Sequence, residues 1–237
     1  MKLDNKELYD LLKRKKVSNF FHANTVATSI TFIQEGGLLS RQGIEEQTLY
    51  QTPQTSDEID KLFDVFGDIF LDTTDLHGHF SRQNHYGPVL FRFKLELLLD
   101  ENLDIWVTNN NPIHWDRHSE PEENYFQSVK ELARKWDDYD IQRKMFTVRK
   151  PTSPILFEYL EEIILDNPKV KISDDVSLRK ESRRALKKAT KEKTQLRELL
   201  TWRECGHCFC QDNYLKQVQV PELIQKFLPT YHAEFEK

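Results

Sequence analysis

Apolar positions along the chain fall into short runs of helical or alternating period, separated by polar connectors. Residues 3–16 have a helical pattern and finish on Lys13-Arg14-Lys15-Lys16, a basic ending that suits the negative end of a helix dipole. Phe20-Phe21-His22 reads as a short strand. Thr25 to Glu35 predicts a helix with Val26, Ile30 and Ile33 on one face and Gly36-Gly37 as its stop. A polar loop runs from about Ser40 to Thr55, and Thr55-x-x-Glu58 has the form of a capping box that opens a helix through Phe63. Ile69-Phe70-Leu71, Pro88 to Phe93 and Leu103 to Val107 predict strands, with a helix-like Leu76 to Gln83 among them. Ser119-x-x-Glu122 is a second capping box, ahead of Phe126, Val129, Leu132, Ala133 and Trp136 at helical spacing. A polar, basic connector from Asp137 to Pro154 leads to the apolar run Ile155 to Leu165, expected as a strand. Ser173 to Leu200 predicts one long charged helix, and the tail ends in a helix with Pro221 in its first turn.

Strands interspersed with helices, without an even β-α-β rhythm, imply an α+β body over residues 17–172 with helical additions at both ends. The division expected is a domain over 1–172, including the N-terminal helix, and a basic helix with a Cys-containing tail over 173–237 packed on it. Composition supports a core: 38% of residues are hydrophobic, and 15 Phe, 8 Tyr and 4 Trp supply large rings. With only 7 Gly and no Gly-rich loop, the phosphate cradles of dinucleotide-binding and Walker motifs are excluded. A net charge of −5 argues against a generally basic surface. There is no long apolar span and no signal core at the N-terminus, so a cytoplasmic protein without membrane contact is expected.

Two segments carry candidate chemistry: Phe20-Phe21-His22-Ala23-Asn24, with its helix and Gly37-Leu38-Leu39-Ser40-Arg41, and Glu162-Ile163-Ile164-Leu165-Asp166. Between them lie Ile69-Phe70-Leu71-Asp72, the Leu76 to Gln83 segment and the Pro88 to Phe93 strand. This arrangement over residues 18–168 resembles the ADP-ribosyltransferases of the diphtheria-toxin and poly(ADP-ribose) polymerase type. The resemblance implies a split mixed and antiparallel sheet with flanking helices, and NAD as the sugar donor. It places Glu162 as the carboxylate that stabilises an oxocarbenium-like state, with His22 on the ribose as a neutral ring. Ala23 would bond the nicotinamide amide through its backbone, Asn24 stands where Ser or Thr is usual, and Arg41 reaches towards the pyrophosphate. Phe70 and Phe80 match the aromatic walls of the nicotinamide site, with Tyr86 as the alternative partner. Glu161 competes with Glu162 by register and should point to the opposite strand face. Leu160 stands two before Glu162, so the Glu-x-Glu pair of arginine-modifying relatives is missing.

Other clusters bear on partners. Arg143, Lys144 and Arg149, with Phe146 between them, suit phosphates and an unstacked base, which favours a nucleic acid acceptor with RNA ahead of DNA. Arg179 to Lys193 is dense in Lys and Arg, the pattern of a solvated face or of a polyanion-binding one. His77, His79 and His85 read better as polar groups around a cleft than as metal ligands. Cys205, Cys208 and Cys210, with His207, offer zinc ligands, yet the second knuckle of a usual structural site is missing, so thiols packed in the tail are the favoured reading. By analogy the resemblance points to a bacterial mono-ADP-ribosyltransferase, a toxin or phage-defence effector with an antitoxin protein as partner. Modification of a protein side chain is the alternative, and a non-enzymatic RNA- or protein-binding module is the rival of another class. A third rival, the RNA 2′-phosphotransferase branch, lacks the Glu.

Overall fold

The computed structural model describes residues 2–138, 145–204 and 208–235. Its elements in chain order begin with helix α1 (Asn5–Arg14), strand β1 (Asn19–Asn24) and helix α2 (Val26–Glu35). Helices α3 (Arg41–Glu46) and α4 (Asp57–Leu62) follow, then β2 (Ile69–Leu71), α5 (Leu76–Phe80), β3 (Val89–Lys94) and β4 (Ile105–Val107). Next come α6 (Val129–Arg134), β5 (Phe146–Val148), β6 (Leu160–Asn167), α7 (Leu178–Ala189), α8 (Thr194–Glu198), β7 (Leu200–Glu204), α9 (Cys210–Gln217) and α10 (Val220–Phe227).

The strands form an α+β architecture around a split sheet. A four-stranded sheet has the order β1-β3-β6-β7, and a three-stranded sheet has the order β2-β5-β4. All pairs are antiparallel except β6 with β7. The two sheets meet where β1 bridges to the residue that follows β2: Phe21 N–H donates to the Asp72 carbonyl at 2.8 Å, and Asp72 N–H donates back to the Phe21 carbonyl at 2.9 Å. Beyond that pair the strands part.

Alternation along the strands sets the faces. Phe20 and Phe93 form one inward row, His22, Phe91 and Ile163 the next, and Asn24, Val89 and Leu165 the third. Helix α2 covers this face, and Phe91 is held between Phe32 at 5.9 Å and Phe157 at 5.7 Å between ring centroids. Phe21, Arg92 and Glu162 make a row on the other face. Helix α1 is capped by Asp4, whose Oδ1 accepts from Glu7 N–H, and α2 by Thr25. At its far end α2 stops on Gly36 in the left-handed region, and Lys193 donates to the Gln34 carbonyl there.

Several expectations are corrected by tertiary contact. The 40–55 segment contains α3, and β5 lies inside the stretch read as a basic connector. The helix after the second capping box begins only at Val129, because Ser128 and Glu131 form the working box: Ser128 Oγ accepts from Glu131 N–H and Glu131 accepts from Gln127 N–H. Helix α4 has Ser56 at its N-cap, with no capping bond from its side chain. The apolar run from Ile155 turns through Leu156, at positive φ, and a short 3₁₀ turn before β6 begins at Leu160. Residues 173–200 break after Ala189, and Leu200 opens β7, which pairs with β6. The segment read as helix and tail therefore supplies an edge strand to the main sheet.

Gly37 is required by packing. Leu38 and Ile155 exchange backbone hydrogen bonds, and a Cβ on Gly37 would sit 2.6 Å from the Ile155 nitrogen and 2.7 Å from the Pro154 carbonyl carbon. Both neighbours are backbone, so Gly37→Ala is expected to cost roughly 2 kcal/mol through forced displacement, measured as a lowered urea midpoint at unchanged m-value.

Candidate functional site

A cleft of about 510 Å³ opens where β1 and β2 part. Its walls are the end of β1 (His22, Ala23, Asn24), the start of α2, Arg41, residues 51–56, Phe70, Asp72 and Tyr86. The loop over 51–56 is held to α2 by buried hydroxyls: Thr25 and Thr52 share a hydrogen bond of 2.7 Å, and Thr52 N–H donates to Thr28 Oγ1.

His22 sits at the seam itself. Its Nδ1 lies 2.9 Å from the Phe70 carbonyl, which can only accept, so Nδ1 carries the hydrogen and Nε2 presents a lone pair. That Nε2 is buried and has no hydrogen-bond partner among the described residues. Burial lowers the pKa of the ring against the raising effect of the Phe70 carbonyl, and Arg41 lowers it further. The imidazole is therefore neutral at ordinary pH, and acidification below its usual range works against the folded state.

Arg41 lines the cleft, paired with Asp57: Nε lies 2.5 Å from Oδ1 and Nη2 lies 2.7 Å from Oδ2, and Nη2 also donates to the Thr52 carbonyl. An anion would have to share this guanidinium with a carboxylate. Asn24 turns inward, where its Oδ1 accepts from Thr25 N–H. Of the three aromatic candidates, Phe70 and Tyr86 line the cleft, whereas Phe80, at the end of α5, lies outside its walls, against His79 and Arg82.

Glu162 is also outside those walls. It stands two strands from His22 on the opposite sheet face, with Arg92 Nη1 at 2.6 Å from its Oε2. Glu161 was expected to point away from it. A bulge opposite Arg92 and Phe93 overturns this: Glu161 takes a hydrogen bond from Asn19 at 2.6 Å and lies 3.6 Å from Arg92 Nε. One guanidinium thus orients both carboxylates. His22 and Glu162 can serve one ligand only if it bends around the β1 edge, where Ala23, on the Glu162 face, is also part of the cleft wall.

The expected acceptor-binding residues fare differently. Phe146 is 1% exposed and packs on Phe20 at 5.1 Å, so its ring is core. Arg149 pairs with Asp68 at 2.6 Å, donates to Tyr125 Oη and stacks on Trp106. Its neighbours in the pattern, Arg143 and Lys144, fall outside the described residues. The basic helix α7 buries Leu178, Ala185 and Leu186 and stacks Arg183 on Trp202, which pairs with Leu165. It therefore covers the His22 face of the sheet, away from Glu162. Among the three histidines only His85 lines the cleft, while His77 is buried against Asp166. Asp57 and Asp60 on α4, with Asp72 and Asn111, stand at or beside the cleft; the sequence offered no role for them, since the contacts that bring them there are tertiary.

No protein-family model and no curated protein matches the chain. Among solved structures it is similar to DarT of Thermus sp. 2.9 in complex with ADP-ribosylated ssDNA, at 14% identity and a TM-score of 0.48, over 83% of this chain and 96% of that one. A likeness at this level assigns neither activity nor residue roles. Among the described residues no helix is long and apolar enough to cross a membrane.

Burial in the cleft pushes the Asp72 carboxyl from 3.8 up to about 7. A raised acid holds its proton more tightly when folded, so the native state loses stability as pH rises through that window. Asp72→Asn removes this slope. Its melting temperature relative to wild type is expected to climb between pH 4 and 7, and a constant offset would remove Asp72 from the titration.

Proposed function

We propose that the protein transfers ADP-ribose from NAD to a nucleic acid acceptor. The observation that carries this reading is His22, a neutral imidazole pinned through Nδ1, with a buried Nε2 that has no partner among the described residues, in the wall of a cleft of about 510 Å³. An acceptor nitrogen in that position fits a ribose hydroxyl donor and disfavours an anion. Of the residues that resemble the His-aromatic-Glu pattern, His22, Phe70 and Tyr86 line this cleft, and Glu162 reaches a ligand there only around the β1 edge.

In the proposed reaction the C–N bond between ribose and nicotinamide breaks, and its electron pair leaves with nicotinamide. The acceptor's lone pair forms the new bond to the anomeric carbon, and the acceptor's proton passes to a base or to water. Glu162 lies near the developing positive charge and holds the ribose 2′-hydroxyl, its oxygens fixed by Arg92. His22 holds a ribose hydroxyl across the seam, Tyr86 and Phe70 flank the cleft, and Arg41 divides its guanidinium between Asp57 and the pyrophosphate. Phe80, on α5, is the remaining candidate wall for nicotinamide. A nucleic acid acceptor, within which we hold RNA ahead of DNA, is supported by the absence of a second Glu at Leu160, which argues against arginine side chains, and by the exposed basic groove of α7, formed by Arg179, Lys180, Arg183, Arg184 and Lys187. The groove lies on the His22 face of the sheet, away from Glu162, so it would hold a distal part of a long strand. A toxin role with an antitoxin partner goes with this reading, and growth arrest on expression, relieved in Glu162→Gln, is its expected sign.

Labelled NAD supplied with separate RNA, DNA and protein pools tests the proposal. Wild type is expected to label nucleic acid, Glu162→Gln to lose on the order of 10²-fold or more of transfer, and His22→Ala to raise the apparent KM for NAD. Label confined to protein would move the acceptor to a side chain. Transfer unchanged by Glu162→Gln would sink the mechanism.

A further inference from the structure

We propose that His77, Cys208 and Cys210 form a zinc site that ties the start of α9 to α5. One ligand atom from each of the three residues lies within 4.8 Å of the others. His77 and Cys210 are buried, and Cys208 is half-buried. The sulfurs of Cys208 and Cys210 are 3.0 Å apart, so a tetrahedral pair at zinc–thiolate distances needs them to open by only ~0.7 Å.

The surroundings of His77 are those of a metal ligand. Its Nδ1 lies 2.6 Å from Asp166 Oδ2 in the interior, which fixes the tautomer with hydrogen on Nδ1 and makes Nε2 the nitrogen that carries the lone pair. Asp166 is itself held by Arg203, whose Nε lies 2.7 Å from Oδ1, and Arg203 also reaches Asp75 at the cap of α5. The carboxylate–imidazole–metal order is the usual way a protein makes a histidine more basic and keeps its ring in place. Two thiolates and one imidazole select a borderline-soft ion, and zinc binds such a set without redox chemistry. Cys210 opens α9, where the helix dipole favours a thiolate.

The cysteine spacing alone offers Cys205, Cys208 and Cys210 with His207, whereas here the imidazole comes from α5, far away in the chain. Cys205 and His207 lie outside the described residues, and the proposal rests on the three donors alone. With zinc bound, the C-terminal cluster of Tyr214, Leu223 and Phe227 is clamped to α5, next to β6.

The full chain, purified under reducing conditions, is expected to hold one zinc per molecule, released by chelator with a drop in melting temperature. Cobalt substitution of the wild type should give the thiolate charge-transfer band and tetrahedral d–d bands. Cys208→Ser and Cys210→Ser should weaken or abolish both, and Asp166→Asn should lower zinc affinity by 10–100-fold. Wild-type protein without zinc and without the cobalt bands would overturn the proposal, as would intact mass showing a Cys208–Cys210 disulfide in place of bound metal. Metal content and cobalt spectra of the wild type decide the question even if a variant fails to fold.

Discussion

The single residue pair between Phe21 and Asp72 governs much of this molecule. Strand β1 pairs along its whole length with β3 on one edge, while its other edge meets β2 once and then leaves it. Unpaired backbone at such an opening must find other partners or face a ligand. The Phe70 carbonyl accepts from His22, and the space left between the strands is the cleft. A ladder continued along β1 would satisfy these groups and close the site.

Charge around the seam is strongly constrained. Arg41 is held by Asp57, Arg149 by Asp68, and Arg92 by Glu162 with Glu161 nearby. Each cation is thereby oriented, since a half-buried guanidinium with a bidentate or shared carboxylate has few alternative positions. The basic residues that suggested nucleic acid binding are thus divided between two jobs. Arg149 pairs with Asp68 beside the second sheet, whereas α7 lays Arg183 and Lys187 on Trp202 and presents Lys180 and Arg184 to solvent.

The C-terminal segment is more than an appendage. Its strand β7 lies parallel to β6, and the crossover through α7 and α8 covers the His22 face. Arg203 on that strand reaches both Asp75 and Asp166, which links the tail to α5 and to the last turn of the central strand. The His77, Cys208 and Cys210 cluster stands at this junction.

Local signals identified the elements whose stability is decided locally. Thr25 and Gly36-Gly37 delimited α2, the alternation around Phe20 and Phe91 marked β1 and β3, and the order of His22, Gly37-Leu38 and Glu162 pointed to a two-sided site. Strand β5 was hidden because Phe146-Thr147-Val148 is too short to show a period among basic neighbours, and its two partner strands create it. Strand β7 was hidden for a related reason: Leu200 to Glu204 continues a helical charge pattern, and only the free edge of β6 makes it extended. The bulge at Glu161 could not be read either, since a one-residue slip leaves no mark on composition while it changes the face of every side chain after it. The residue types of a candidate site could thus be read from the chain, whereas their faces, their ion-pair partners and the meeting of His77 with distant cysteines follow from strand pairing across long sequence separations.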